Sequence, residues 1–417
     1  MASTNEPEAV QAFRAWLVEN GGNVHPDVTF RKVPSGYSVV ARNDIPSDTT
    51  VVSCPFSLAV TPGYSRNALS TTLKTLQSND VIRDWSERQL ICSYLCMHRI
   101  LGRESCPPAF QHWLYLDTLP SPDKLRTSLH FTASELEAFK GSNLYGATVD
   151  RQRDWQTEWQ QCWDALTTAN GAWGNGYTWD RYLTAATYLS SRAFPSTLLS
   201  ATPSLTSTPT SDPVLLPGVD SLNHARAQPV SWVVSSASSA SSTISLVLHN
   251  STSRGSELFN NYGPKPNAEL ILGYGFALPH NPDDTIVLKL GGNAGSGGKW
   301  EIGRNARGAE PVWEAVLRAV CAGDDEEEEE VEADVEDMTY AAETLASMAQ
   351  VLLDRLPKGR QKDMREEVAI MLEYYLEGQR DILQSLIKFA QEKGKHAEKL
   401  ASVQSVDDSD EEEGLGS

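Results

Sequence analysis

The sequence predicts an α+β fold in which a helical block interrupts a β-rich region and a second helical region closes the chain. Three observations carry this. Residues 28–60 and 230–289 hold short stretches rich in β-branched residues. Residues 70–190 and 339–393 place apolar residues at helical spacing. Clusters of Pro, Gly, Ser and Asp punctuate the transitions.

Taken in order, residues 7–20 put Val10, Phe13, Trp16 and Leu17 on one face and stop at Gly21, the pattern of an amphipathic helix. The next stretch, VTFRKVPSGYSVVARNDIPSDTTVVSCPFSLAV, is broken at Pro34-Ser35-Gly36 and Pro46-Ser47-Asp48 into short strands. WSERQLICSYLCMHRILG, FTASELEAFKG, WQTEWQQCWDALTTANG and YTWDRYLTAATYLSSRAF then read as helices. Strand texture returns in PVSWVV, TISLVLHN and DTIVLKL, and two long periodic runs from Thr339 to Lys393 form a terminal helical bundle. STLLSATPSLTSTPTSDP and SSASSASST are expected surface loops. The expected division is 1–69, an inserted helical subdomain 70–190, a second β-rich part 191–280, a mainly helical region 281–403 with an acidic loop 323–337, and a disordered acidic tail 404–417.

Charge narrows the partners. The formal net charge is −20, yet Asp324–Asp337 holds eleven acids and the DDSDEEE run six more, so about −3 is left for the remainder. With no basic stripe, direct nucleic-acid binding is disfavoured. The six cysteines form no CxxC pair, and no stretch has a spanning or secretory pattern; the expectation is a soluble, intracellular chain without membrane contact. Cys92 and Cys96 sit four apart in an apolar helical pattern, which is core spacing.

Several chemistries are excluded. GGNAGSGGKW lacks the first Gly of a phosphate loop and carries Trp300 where Ser or Thr would hold a metal. No G-x-S-x-G or H-E-x-x-H occurs. Asp220, Asn223 and His224 cluster in GVDSLNHARA, but Asn is a poor ligand and no second His or Cys follows at a useful spacing, so a polar ligand suits them better than a metal. Tyr262 in ELFNNYGPKPNAELILGYGF stands before Gly263, which permits positive φ or close backbone approach.

In order along the chain, PSGYSVVARNDIPSDTTVVSCP, WLYLDTLP, SSRAF, DSLNH, ELFNNYGPKPNAELILGYGF and YYLEGQRDILQSLI resemble the SET-domain methyltransferases of the Rubisco large-subunit lysine methyltransferase-like branch. The resemblance implies a β-rich SET fold with a pseudoknot, an inserted helical subdomain and a C-terminal helical substrate-binding domain. It implies S-adenosylmethionine as methyl donor, without a metal, and transfer to lysine of a non-histone protein, a ribosomal protein or a translation factor by analogy. A monomer acting in the cytoplasm, and in the nucleus as well, is the accompanying expectation. Carried over by position, Ser35, Gly36, Tyr37, Arg192, Asn223 and His224 contact the cofactor. Tyr262 is catalytic and also touches the cofactor. Ser191, Phe194, Asp220, Trp232, Tyr274 and Phe276 line the acceptor channel. Ser35 and Ser38 depart from the family's Glu and Gly. That departure keeps a silent SET-like binding module open as an alternative, beside histidine methylation.

Methyl transfer from a sulfonium to an amine is an in-line displacement, so the protein's task is alignment rather than supply of a nucleophile. Aromatic walls favour a cation and exclude water. A buried acceptor lysine beside positive charge loses its proton more easily, so a dedicated base is optional.

Overall fold

The computed structural model describes residues 6–74, 79–235, 242–289, 298–321 and 333–413, without the side chains of 74, 79–80 and 403–413. The centre of the second Ser-rich loop, most of the glycine run at 290–297 and of the acidic loop, and the last residues of the tail lie outside the described residues. The chain parts into two compact units, 1–125 with 150–264, and 126–149 with 265–417.

The first unit is built on the helix Glu8–Glu19 and a four-stranded antiparallel sheet. Val10, Phe13 and Leu17 are fully buried on the helix face that the sequence marks out. Its sheet runs in the order Asn23–Val24, Thr49–Pro55, Thr243–Leu248, Val230–Val234, so a strand near the amino end is completed by one almost two hundred residues later. Val28–Val33 and Gly36–Ala41 form a separate hairpin, in register from Val28↔Ala41 to Val33↔Gly36. Glu6 anchors this hairpin to the helix, accepting from Arg14 Nη2 at 2.9 Å and from the Phe30 amide at 3.1 Å.

Helix Glu87–Leu101 opens on a reciprocal cap between Ser86 and Gln89. It buries Cys92 and Cys96, and burial pushes both thiols up, as expected of inert core residues. Helix Trp179–Arg192, capped by Thr178, delivers Ser191 and Arg192 at its last turn. Among the described residues no helix is long and apolar enough to cross a membrane, and no three His, Cys, Asp or Glu side chains cluster as a metal would need.

The second unit takes residues 126–149 out of the stretch that helical spacing groups as 70–190. The reason is tertiary. Phe139 and Leu144 pack with Val368, Leu372 and Tyr375, and Glu135 pairs with Arg365, 230 positions away. A hairpin, Thr285–Lys289 with Lys299–Gly303, packs through Ile286, Leu288 and Ile302 on helices Glu310–Cys321, Val335–Arg355 and Glu366–Glu413. The last helix runs to Glu413, into the segment set apart as a disordered tail from 404. A buried polar knot sits in the same unit: Asp284 receives the Asn267 amide at 2.7 Å and faces Arg304, which also pairs with Glu377 and Asp381.

Candidate active site

The Asn-His and Asn-Asn-Tyr-Gly segments meet as two-residue parallel strands, Asn223 opposite Phe259 and His224 opposite Asn260. Just upstream, Gly218 lets the chain pass close to the first helix and its sheet: its φ is +90°, and a Cβ there would stand 3.1 Å from Val52 Cγ2 and 3.4 Å from Leu17 Cδ2. A single helical turn, Val219–Ser221, then leads into Asn223–His224.

His224 is buried, and its Nδ1 accepts the Tyr262 backbone N–H at 3.0 Å. In the neutral ring the proton therefore belongs on Nε2. The two rings stack at 5.1 Å between centroids and 25° between planes. The Tyr262 hydroxyl donates to the Leu222 carbonyl at 2.9 Å, which commits its proton and leaves its oxygen as an acceptor. Asn261 Oδ1 accepts from Gly263 N–H at 3.0 Å and shapes the turn that follows, where Gly263 has φ +89°.

Asn223 is exposed, and its amide nitrogen donates to Glu257 Oε1 at 2.7 Å. That orients the Asn223 side-chain oxygen away from the carboxylate as an acceptor. Glu257 is a partner of Asn223 that sequence reasoning missed, although its place three residues before Asn260 in the same short segment was visible.

Buried Asp220 pairs with half-buried Arg192. Arg192 Nη1 donates to the Asp220 carbonyl at 2.9 Å and lies 3.7 Å from Oδ2 of its carboxylate. Tyr115 donates its hydroxyl to the same Oδ2 at 2.5 Å. Oδ1 is buried with no donor among the described residues. Burial pushes the Asp220 carboxyl up, and Arg192 and Tyr115 oppose that rise. The Cys54 thiol nearby is raised well above its ordinary value, by burial first and by Asp220 second. Tyr115 was legible only as part of WLYLDTLP and not as a partner of Asp220.

The remaining expected residues fall as follows. Ser35 is exposed at the hairpin turn, Tyr37 is half-buried opposite Lys32, and Gly36 has φ +132° with Pro120 Cγ 3.2 Å from where a Cβ would be. Pro120 in turn accepts the Tyr188 hydroxyl. Ser191 turns its hydroxyl back onto the Thr187 carbonyl at 2.7 Å. Phe194 is buried and pairs with Val214. Trp232 lies in the outer strand of the four-stranded sheet opposite Leu246, and its indole nitrogen is buried without an acceptor among the described residues.

Tyr274 and Phe276 belong to the second unit. Tyr274 ends a π-helical turn, Leu270–Tyr274, a wide turn that occurs often at functional sites. Gly275 has φ +82°, and a Cβ there would lie 2.7 Å from the Arg126 carbonyl carbon, so only glycine lets the two backbones touch. Tyr274 and Phe276 meet edge to face at 6.3 Å, and Lys265 Nζ stands 5.6 Å from the Tyr274 ring centre. Burial, then Glu269, pushes the Tyr274 hydroxyl up to about 12.

No family model matches the chain. It is 32% identical over 279 residues to the ribosomal lysine N-methyltransferase set10 of Schizosaccharomyces pombe, covering 66% of this chain and 46% of that protein. It is 36% identical over 114 residues to ribosomal lysine N-methyltransferase 1 of Saccharomyces cerevisiae, covering 27% of this chain and 18% of that one. The chain thus spans less than half the length of either relative. Among solved structures it superposes on the SET domain of LSMT bound to lysine and AdoHcy with a TM-score of 0.74, at 18% identity over 94% of both chains. Rubisco LSMT bound to AdoMet gives 0.73 at the same identity and coverage. The chain therefore has the α+β fold of the SET domain of LSMT and is similar in sequence to two ribosomal lysine N-methyltransferases.

Proposed function

We propose that the protein is an S-adenosylmethionine-dependent protein-lysine N-methyltransferase that acts in the cytoplasm on a ribosomal protein. The observation that carries the reading is the Tyr262 phenol, held by the Leu222 carbonyl beside His224. A hydroxyl whose proton is committed offers its oxygen to a weakly acidic C–H, which suits the guidance of a methyl group. The names of the relatives, both ribosomal lysine methyltransferases, support the acceptor class.

The donor set fits the cofactor. The Asn223 side-chain oxygen and the Glu257 carboxylate are two acceptors at the surface end of the paired strands, and acceptors suit an ammonium group. The missing Cβ at Gly36 lets the hairpin turn, with φ +132°, pack against Pro120. When bound, S-adenosylmethionine supplies an electrophilic methyl group on a sulfonium.

The chain's own residues then perform alignment. Asn223 and Glu257 would hold the amino-acid part, His224 fixes the Tyr262 backbone, and Tyr262 aims its oxygen at the transfer path. Phe194 would exclude water from the acceptor amine and so favour its neutral form. Alignment of this kind supplies several kcal/mol without any group of the protein changing its protonation.

The test is titration calorimetry with S-adenosylmethionine on the parent and on Asn223→Ala, followed by transfer of labelled methyl groups to salt-washed yeast ribosomes. The expected result is binding by the parent, at least tenfold weaker binding by the variant, and label recovered as methyl-lysine. A parent that does not bind the cofactor refutes the enzyme reading and leaves a binding module; label recovered as methyl-histidine refutes the lysine assignment.

A further inference from the structure

Tyr262 is held by a backbone carbonyl, and a carbonyl is only as well placed as the chain that carries it. We infer that Tyr115 is a positioning residue for Tyr262: its hydroxyl grips the Asp220 carboxylate and thereby fixes the Leu222 carbonyl to which the Tyr262 phenol donates. Only the catalytic consequence of this linkage rests on the function proposed above.

The contacts form one connected path within the first unit. Tyr115 sits in the short helix Trp113–Leu116 and is 1% exposed. Its hydroxyl reaches Asp220 at 2.5 Å across 105 positions of sequence. Arg192 holds the same residue from the other side, through the Asp220 carbonyl at 2.9 Å. Two residues on, Leu222 presents its carbonyl to Tyr262 at 2.9 Å. The turn Val219–Ser221 between them is a single turn of helix, too short to hold its own geometry. Its anchor is therefore Asp220.

No substitute for Tyr115 is at hand. The other carboxylate oxygen, Oδ1, is already buried without a donor among the described residues, and Arg192 stands at 3.7 Å from the bonded one. Removing the phenol proton leaves a buried carboxylate with a single, longer counter-charge. The groups that face Asp220 are Arg192 from the helix Trp179–Arg192, Tyr115, and the Cys54 thiol from the strand Thr49–Pro55. Once the Tyr115 hydroxyl is gone, Arg192 and the backbone amides of Gly218 and Asp220 are what still favour the ionised carboxylate. The carboxyl then takes up a proton at higher pH than in the parent.

Packing alone would give Tyr115 a different role, because its ring also meets Phe13 at 6.4 Å between centroids. Tyr115→Phe separates the two, since it keeps the ring and deletes the hydroxyl. The full chain, carrying tyrosine labelled with carbon-13 at Cζ, is compared with the variant by NMR, with the Tyr262 signal assigned through Tyr262→Phe. The expected result is a displaced Tyr262 signal in a variant that melts within a few degrees of the parent and binds S-adenosylhomocysteine within about threefold. Methyl transfer to salt-washed ribosomes should fall about tenfold or more, with its acid limb moved to higher pH.

A folded variant with the Tyr262 signal unmoved overturns the positioning role, whatever the activity. A displaced signal in a protein whose parent transfers no methyl group supports the linkage and refutes the enzyme reading, so the two failures are distinct. If Tyr115→Phe does not fold, Asp220→Asn takes its place, because it weakens the same bond from the other side. An unmoved Tyr262 signal there overturns the inference in the same way.

Discussion

Replacing Glu135 by Gln should cost the second unit about 3 kcal/mol at neutral pH and almost nothing near pH 2. The Glu135 carboxylate is almost fully buried. It accepts the Thr132 amide at 2.9 Å, the Arg365 amide at 3.0 Å, and Arg365 Nε and Nη2 at 2.8 and 2.6 Å. Burial pushes this carboxyl up, but the hydrogen bonds and charge of Arg365, with the Thr132 amide, outweigh it and hold the group at about 2. At 1.36 kcal/mol per decade, the gap from an ordinary glutamate is worth about 3 kcal/mol. The folded value lies below the unfolded one, so this stabilisation is complete above roughly pH 5 and drains away as the pH falls through 2. Gln keeps the cap on the Thr132 amide and the shape of the side chain, but it removes the charge and turns the oxygen that accepts the Arg365 amide and Nε into a donor, as protonation of the carboxyl does in part. Urea titrations of parent and variant at about pH 7, 4 and 2.5 give the difference directly. A gap that stays constant across that range, or lies below about 1 kcal/mol at neutral pH, would refute the assignment of the stabilisation to an ionised Glu135 held by Arg365.

Two further outcomes are expected. Tyr262→Phe should bind S-adenosylmethionine within about threefold of the parent by calorimetry yet lose about a hundredfold in methyl transfer to ribosomes, and near-parent transfer would remove Tyr262 from the reaction. Gly275→Ala should destabilise the second unit by about 2–4 kcal/mol, because φ +82° strains an L-residue and the new methyl would lie 2.7 Å from the Arg126 carbonyl carbon; an unchanged melting temperature would refute that contact.

Much of the first unit was legible because its signals are local. The spacing of Val10, Phe13 and Leu17 gives the first helix, and Pro34-Ser35-Gly36 and Pro46-Ser47-Asp48 mark where strands break. The pairing of Asn223–His224 with Phe259–Asn260 was not readable from periodicity, since two-residue strands have none; it came through the order of motifs. The partners of the expected residues were invisible for another reason. Tyr115 and Asp220, Asn223 and Glu257, and Glu135 and Arg365 are each ordinary polar residues in their own segments, and only the fold brings them into contact. Helical spacing likewise groups 126–149 with its neighbours because an amphipathic face reports that it will be buried and not against what. The π-helical turn before Gly275 carries no composition signal at all.

The four-stranded sheet has a consequence for synthesis. Thr49–Pro55 finds its partner on one side in Asn23–Val24, but its other edge waits for Thr243–Leu248. At ordinary elongation rates of about 5–20 residues per second, that edge stays unpaired for roughly 10–40 s while the helical stretches emerge. During that interval Val51, Val52 and Cys54, all buried in the finished protein, lie on an open ladder of amides and carbonyls. That open edge exposes the nascent chain to mispairing until Thr243–Leu248 has emerged.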